Sequence, residues 1–361
     1  MTVKKPEKII KTDFLIIGGG IAGLEAALTA AGLGVDVAVA EKADTRRSGN
    51  GANGNDHYMC YIPEIHGEDF NLVIREIRET MEGPWQDLDM LRYMMRRSHK
   101  IVQEWEGFGI NMRPTGEYRF EGHAMPGRQR YHLKYDGRNQ KAVLTGEALK
   151  RGAKIYNKVF VNDILKNKEG RAVGAIGFSI KEDEPEVVLF QCKAVLVATA
   201  QAMRLYLHGN PAYIFNTHSC PAAAGGAAIA YRAGAKLVNL DVPYIHAGVK
   251  GFHRSGKATW IGVISDINGN SISPFCDKPN RETGDAMMDI WPGIFGERLE
   301  KGTGPTYMNC TQCTPEDLAY QEKAFVSEGI DSITDYCNQR GIDLSKTMVA
   351  EHMIILWHSA G

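Results

Sequence analysis

Residues 13–41 of this chain read DFLIIGGGIAGLEAALTAAGLGVDVAVAE, and this stretch decides the fold. The apolar runs at 13–17 and 35–40 are typical of short buried strands. The Ala- and Leu-rich segment 21–33 between them favours a helix. The residues that join the first strand to the helix, Gly18 to Gly23, fit the pattern G-x-G-x-x-G. The stretch therefore predicts a βαβ unit with a glycine-rich turn.

Each glycine of the pattern has a physical role in holding a dinucleotide. Gly18 permits the tight turn, Gly20 lets the backbone approach a pyrophosphate, and Gly23 lets the helix pack closely on the strand. The N-terminus of the helix then faces the negative phosphates. Glu41, about 20 residues downstream at the end of the second strand, is placed to accept hydrogen bonds from ribose hydroxyls. We therefore expect a dinucleotide whose adenosine carries no 2′-phosphate.

The segment that follows Glu41 distinguishes between two dinucleotides. Residues 42–54 read KADTRRSGNGANG, a basic stretch rich in Gly. Such a segment suits the longer flavin dinucleotide, whose phosphates and isoalloxazine need more polar backbone, whereas an NAD domain predicts another regular βα unit here. The sequence therefore favours FAD.

The rest of the chain alternates helical and strand-like patterns. Helices are predicted at 70–108 (with a break near Pro84), 141–152, 222–234, 314–328 and 346–357. Strands are predicted at 155–164, 171–179, 186–191 and 194–199, with loops and short strands at 109–140 and irregular or β structure at 241–280. We expect an α/β fold. A Rossmann-type FAD-binding domain with a helical and β insertion would span residues 1–240, and an α+β capping domain would span 241–361.

Composition argues against two classes of partner. The chain has 42 Lys and Arg against 43 Asp and Glu, for a formal net charge of −1. There is thus no global basic field for nucleic acid or an anionic membrane. No run of about 18 apolar residues is present, so no membrane-spanning helix is expected.

The seven cysteines are odd in number and scattered, which favours a reducing, cytoplasmic compartment. Cys310 and Cys313 form a single C-x-x-C. Because a zinc or iron–sulfur site needs about four ligands, we expect ordinary thiols and no metal there.

Several motifs together resemble one family of flavoproteins. They are GGGIAG with Glu41, the Arg47-Ser48-Gly49 segment, the strand at 194–200 (AVLVATA) and the small-residue helix at 225–235 (GGAAIAYRAGA). They are similar to the flavoprotein subunits of succinate dehydrogenase and fumarate reductase, a family that also contains aspartate oxidase and the alpha subunit of dissimilatory adenylylsulfate (APS) reductase. Residues 47–49 and 302–308 (GTGPTYM) resemble APS reductase more than fumarate reductase. The resemblance runs through essentially the whole chain.

The resemblance implies how the cofactor is held. Covalent members attach FAD to a histidine just after the Arg-Ser pair, where this chain has Gly49, so non-covalent FAD is expected. Besides the glycines and Glu41, the cofactor contacts are expected at Lys42, Arg47, Ser48, Gly49, Ala198 and Thr199. An iron–sulfur electron-transfer subunit is the implied partner, and a small anion is the implied substrate.

Three residues match the family's catalytic positions by motif. His246 lies in YIHAG (244–248), where fumarate reductases have Q-F-H-P-T-G. Arg254 lies in RSGK (254–257), where they have R-G-E-G. His358, in WHSAG (357–361), resembles the H-S-G of APS reductase and the H-x-x-M-G-G of fumarate reductase. A guanidinium can hold an anion bidentately, and histidines can exchange protons near neutral pH. Each of the three could instead be a surface or structural residue.

Departures from the motifs keep the substrate open. Ala247 follows His246, where fumarate reductases have Pro and then a Thr that helps to hold a dicarboxylate. Met59 stands where APS reductase has an active-site asparagine. We favour APS-reductase-like two-electron chemistry at the flavin N5, with electrons exchanged through the iron–sulfur partner. The alternatives are a fumarate-reductase-like or aspartate-oxidase-like enzyme acting on a carboxylate, and a non-catalytic FAD-binding fragment.

The family's final glycine-rich segment, which returns to the FAD domain after the capping domain, has no counterpart in this sequence. The capping domain is therefore expected to be incomplete, which would leave FAD bound weakly or make a second polypeptide necessary.

Overall fold

A computed structural model describes residues 8–53, 57–79, 87–120, 128–181, 185–200, 225–238, 243–249, 263–272, 278–279, 298, 301–327 and 332–357. The strands are β1 (Lys8–Lys11), β2 (Phe14–Ile17), β3 (Val37–Glu41), β4 (His57–Met59), β5 (Arg119–Phe120), β6 (His132–Lys134), β7 (Lys154–Asn157), β8 (Val159–Lys166), β9 (Ala172–Ser179), β10 (Glu186–Gln191), β11 (Ala194–Val197), β12 (Pro243–Val249), β13 (Val263–Ser265), β14 (Thr306–Asn309) and β15 (Val349–Trp357). The helices are α1 (Ile21–Gly32), α2 (Pro63–His66), α3 (Phe70–Ile77), α4 (Leu88–Gly107), α5 (Gln140–Lys150), α6 (Gly225–Ala233), α7 (Pro315–Ser327) and α8 (Ser332–Gln339), with a short 3₁₀ helix at Asn50–Asn53.

A parallel sheet of order β11-β2-β3-β7 is the centre of the fold. Both faces of this sheet are covered, which explains why β2 and β3 are continuously apolar. Ile16 on β2 belongs to the cluster that contains residues of α1 and α5. Its neighbours Leu15 and Ile17 belong to a different cluster, with residues of β8 and β10. The predicted βαβ unit is confirmed as β2–α1–β3.

A second sheet has the order β1-β10-β9-β8, in which β8, β9 and β10 form an antiparallel meander and β1 pairs in parallel with β10. Helix α6 packs on β8, where Arg232 forms an ion pair with Asp163 at 3.3 Å. Gly234, with φ +100°, follows the last residue of the helix, as expected for a C-terminal glycine in the left-handed region.

The chain between β3 and β7 forms the predicted insertion. It contains helices α2 to α5 and the small antiparallel sheet β4-β6-β5. The predicted helical region 70–108 is two helices, α3 and α4, and Pro84 between them lies outside the described residues. Asp87 caps α4 by accepting hydrogen bonds from the backbone of Asp89 and Met90. Trp105 on α4 donates to Glu25 on α1 at 3.2 Å, which ties the insertion to the βαβ unit.

Two predictions about strands and helices are wrong. Residues 155–164 are not one strand, because the chain breaks at Lys158 (φ +62°). The first part, β7, joins the parallel sheet and the second, β8, joins the meander. The segment 346–357, predicted to be helical, contains β15, which pairs with β12 and β14 in a sheet of order β12-β15-β14-β13. An apolar run of this length fits either structure, and the pairing partner decides.

Among the helices described here, none has both the length and the apolar character needed to cross a bilayer.

The close contact between Gly23 and Gly18 predicts that a larger residue at position 23 destabilises the fold. A Cβ at Gly23 would lie 1.9 Å from the backbone oxygen of Gly18, so Gly23→Ala forces helix and turn apart. We expect a loss of at least about 1–3 kcal/mol in the free energy of unfolding. Gly20→Ala is the matched control, because a Cβ there meets no atom within 4 Å. Its stability should stay within about 0.5 kcal/mol of wild type in chemical denaturation. Equal stability of the two variants would contradict this account of the turn.

Candidate functional site

The glycine-rich turn lies at the carboxyl edge of the parallel sheet, between β2 and α1. Gly18 has φ +103°, a conformation that favours glycine, and its N–H donates to Ala40 O at 2.8 Å. A Cβ at Gly18 would lie 2.4 Å from the carbonyl oxygen of Ala198, just after β11. The turn is therefore held between the ends of β3 and β11 and admits no side chain at this position.

The N-terminus of α1 has the features of an anion site. Gly20 is the N-cap residue, no side chain caps the helix, and the first turn holds no acidic residue. The first N–H groups of a helix lack partners within the helix, and here space is open above Gly20. This arrangement fits a pyrophosphate, which would accept hydrogen bonds from the backbone and be stabilised by the helix dipole.

Glu41 has a structural role that the sequence did not predict. Its Oε2 accepts from Gly19 N at 2.7 Å, and its Oε1 accepts from Ala43 N at 2.7 Å and from Ser48 Oγ at 3.2 Å. The residue is only 9% exposed. Because a carboxylate offers about four acceptor sites, three of them are engaged within the protein and about one remains for a ribose hydroxyl. Glu41 therefore fastens the glycine turn to the end of β3, and its contact with ribose stays a prediction.

The basic segment after Glu41 folds back on the same carboxylate. Ser48 Oγ also contacts Asp44 O at 2.6 Å, and Gly49 has φ +79°. The Arg46 guanidinium beside Asp44 lowers the pKa of that carboxyl to about 2. Lys42 and Arg47 are exposed. Of the predicted contacts in this segment, Ser48 reaches Glu41 directly, while the two cations lie at the surface and are available to a ligand.

Ala198 and Thr199 lie where β11 ends, beside the glycine turn. A Cβ at Gly226, near the start of α6, would lie 1.6 Å from Thr199 Oγ1. With Ala198 O next to Gly18, the structure brings together the ends of β2, β3 and β11 and the start of α6. These are the elements on which the predicted cofactor residues lie.

Lys141, on α5, is a site residue that the sequence reasoning missed. It is 2% exposed and its Nζ donates to Gly19 O, so the Gly19 peptide is held by Glu41 at its N–H and by Lys141 at its C=O. Burial lowers the pKa of Lys141 to about 8, although Glu41 and Asp44 favour its charged form. The signal was in the sequence, since Lys141 shares a helical stripe with Leu144 and Ala148, which are fully buried.

Of the three predicted catalytic residues, the structure describes one. His246 lies on β12, and its backbone is opposite Ile354 of β15. Arg254 and His358 lie outside the described residues. Strand β15 ends at Trp357, the residue before His358, and Trp357 is opposite Pro243, three residues before His246. The assignment of these three residues stays a prediction.

Solved structures with the same fold were found, whereas the search of curated proteins found no match. Adenylylsulfate reductase from the hyperthermophilic Archaeoglobus fulgidus has a TM-score of 0.76 and 22% identity, over 97% of this chain and 60% of that one. An adenosine-5-phosphosulfate reductase in complex with sulfite (a covalent adduct) has a TM-score of 0.75 and 21% identity, over 97% and 60%. A mutant quinol fumarate reductase chain of E. coli has a TM-score of 0.73 and 18% identity, over 96% and 60%. The chain thus spans about 60% of the length of each.

The model of one protein family, described as an FAD binding domain (FAD_binding_2), matches residues 13–260. The match begins one residue before β2 and includes the glycine turn, Glu41, Lys141 and the end of β11. Their geometry at the N-terminus of α1 fits the pyrophosphate of FAD. The chain therefore belongs to the FAD_binding_2 family and binds FAD through this domain.

Proposed function

We propose that the protein is an FAD-dependent oxidoreductase with APS-reductase-like chemistry, working with an iron–sulfur electron-transfer partner on a small anionic substrate. The observation that carries the proposal is the N-terminus of α1, which no side chain caps and where a Cβ at Gly20 would meet no atom within 4 Å. The motifs at 47–49 and 302–308 and the similarity in fold to APS reductases support the narrower assignment.

FAD supplies two-electron chemistry at its N5 when bound; the chain's own residues bind it and orient the substrate. In this proposal Arg254 clamps the anion bidentately, and His246 and His358 orient it and exchange protons. The pairing of β12 with β15 supports a common location for the two histidines, since His246 and Trp357 lie on adjacent strands.

We also propose a boundary near residue 240 between the FAD-binding domain (1–240) and the capping domain (241–361). It is supported by the separate sheet formed by β12 to β15. A cytoplasmic location is part of the proposal and rests on the scattered cysteines. Nucleic acid is not expected as a partner, because the net charge is −1.

Steady-state assays separate the proposed function from its rival. With an iron–sulfur protein as electron acceptor, we expect AMP-dependent oxidation of sulfite and little reduction of fumarate. The reverse result would favour the enzyme that acts on a carboxylate.

Arg254→Lys should lower turnover at least ~100-fold, because lysine cannot reproduce a bidentate clamp. Lys250→Arg, a change four residues away that keeps the charge, is the control. If the wild-type protein binds FAD but is active in neither assay, the proposal that it is an enzyme is refuted, and the alternative of a non-catalytic FAD-binding protein is favoured.

The attachment of FAD can be tested without turnover. Gly49 stands where covalent members have the histidine, so acid precipitation should release all flavin into the supernatant. Flavin that remains in the protein pellet after washing would refute non-covalent binding.

Lys141 gives FAD binding a predicted pH dependence. The bound pyrophosphate favours the charged ammonium and should raise the pKa of Lys141 above its ligand-free value of about 8. FAD affinity should therefore be highest below pH 8 and fall as the pH rises through this value, by up to about tenfold per pH unit. Lys141→Met should bind FAD more weakly, by about 1–3 kcal/mol at neutral pH, and should lose this dependence.

Lys154→Met is the matched control, because Lys154 is an exposed lysine on β7 of the parallel sheet and is paired with Asp36 at 2.7 Å. Titrations followed by flavin fluorescence give the dissociation constants. An unchanged pH profile in Lys141→Met would show that Lys141 does not sense the cofactor.

A further inference from the structure

Two cysteines outside the FAD site lie at the corner between β14 and α7. Cys310 follows the last residue of β14, and Cys313 lies two residues before Pro315, where α7 begins. The N–H of Cys313 donates to Cys310 O at 3.0 Å, which closes a β-turn with the two cysteines at its ends. The Cα atoms at the ends of such a turn are less than about 7 Å apart. A disulfide requires roughly 4.4–6.8 Å. The turn therefore holds the cysteines at a separation that a disulfide can bridge.

The two thiols differ in their access to solvent. Cys310 is fully buried, whereas Cys313 is partly exposed. An external reagent can therefore reach Cys313 first and leave Cys310 behind it, in contact with Cys313. Cys313 can therefore act as the attacking thiol, and Cys310 as the resolving thiol.

A chain of hydrogen bonds connects the two sulfurs to α7. Gln321 Nε2 lies 4.0 Å from Cys310 Sγ, within reach of a weak hydrogen bond, and the Cys310 thiol hydrogen-bonds to Cys313. This bond lowers the pKa of Cys313, against the opposing effects of burial and of the Asp317 carboxylate. Burial alone raises the pKa of Cys337, and burial raises that of Cys60 to about 12. Among these thiols, Cys313 has the environment that favours a thiolate.

The start of α7 adds to this environment. Thr314 and Asp317 form a capping box, in which Thr314 Oγ1 accepts from Asp317 N at 3.1 Å and Asp317 Oδ2 accepts from Thr314 N at 3.2 Å. Cys313 thus immediately precedes the N-cap of a 13-residue helix, where the helix dipole stabilises negative charge. No group of three or more possible metal ligands is found in the part of the chain that the structure describes.

We propose that Cys310 and Cys313 form a dithiol site for thiol–disulfide exchange with low-molecular-weight disulfides of the glutathione class. The Cys313 thiol gives its proton to water, and its thiolate attacks one sulfur of the disulfide. The first glutathione thiolate leaves and takes up a proton, and a mixed disulfide remains at Cys313. Cys310 then loses its proton, attacks Cys313 Sγ and displaces the second glutathione thiolate. Two protein thiols are oxidised, and one external disulfide is reduced to two thiols.

This proposal does not depend on FAD chemistry, and it revises the expectation that the C-x-x-C holds ordinary thiols. The test equilibrates the full chain with mixtures of reduced and oxidised glutathione, blocks free thiols with N-ethylmaleimide and identifies the peptides by mass spectrometry. We expect a Cys310–Cys313 disulfide in wild type. In Cys310→Ser, glutathione should remain attached to Cys313. In Cys313→Ser, Cys310 should remain unmodified over the same period.

Cys337→Ser is the matched control and should form the same disulfide as wild type. In the reduced wild-type chain, Cys313 should be alkylated faster than Cys337 at neutral pH, because Cys313 is partly exposed and its pKa is lowered, whereas Cys337 is buried and its pKa is raised. The proposal is overturned if wild type forms no Cys310–Cys313 disulfide at any glutathione ratio, or if Cys337 reacts as fast as Cys313. Both readouts use the wild-type chain, so a variant that fails to fold does not obscure the answer.

Discussion

The close approach of α1 to the turn after β2 is the contact on which the FAD site depends. A Cβ at Gly23 would lie 1.9 Å from Gly18 O, so the helix begins in van der Waals contact with the turn itself. No side chain caps α1, and a Cβ at its N-cap residue, Gly20, would meet no atom within 4 Å. The backbone therefore forms the anion site, and side chains contribute by holding the glycine turn in place.

Two charged side chains hold this backbone in place from opposite sides of the Gly19 peptide. Glu41 accepts the N–H of Gly19 at 2.7 Å, and Lys141 donates to its C=O. Burying either charge alone costs free energy. When both charges are buried and hydrogen-bonded to the backbone, these interactions offset much of that cost. The lowered pKa of Lys141 shows that part of the desolvation cost remains. An anionic cofactor can reduce this remaining cost, which couples FAD binding to the protonation of Lys141.

The parts of the fold that were predicted correctly are those in which local pattern and long-range structure agree. Residues 13–41 contain strand, turn and helix signals within one short stretch, and the βαβ unit followed from them. The break at Lys158 was missed because it depends on the two different sheets that β7 and β8 join. Segment 346–357 was predicted as a helix because its apolar run has no decisive period, and β12, about 100 residues earlier, supplies the partner that makes it a strand. Lys141 was missed because its acceptor, Gly19, lies 122 residues away in the sequence.

The sheet formed by β12 to β15 determines how far the dithiol lies from the proposed catalytic histidine. Val249 on β12 and Thr306 on β14 are both opposite Glu351 of β15, so they share one row across the sheet. Strands β12 and β14 run in the same direction, because each is antiparallel to β15. His246 lies three residues before this row, and Cys310 lies four residues after Thr306.

At a rise of about 3.4 Å per residue in an antiparallel strand, these seven steps separate the two sites by about 24 Å along the strands. The dithiol therefore lies toward the opposite end of this sheet from His246, and its sulfurs do not reach a substrate held there. The proposed exchange at Cys313 and the proposed chemistry at His246 therefore have different locations. Strand β15, which pairs with both β12 and β14, is the element of this sheet that connects the two strands.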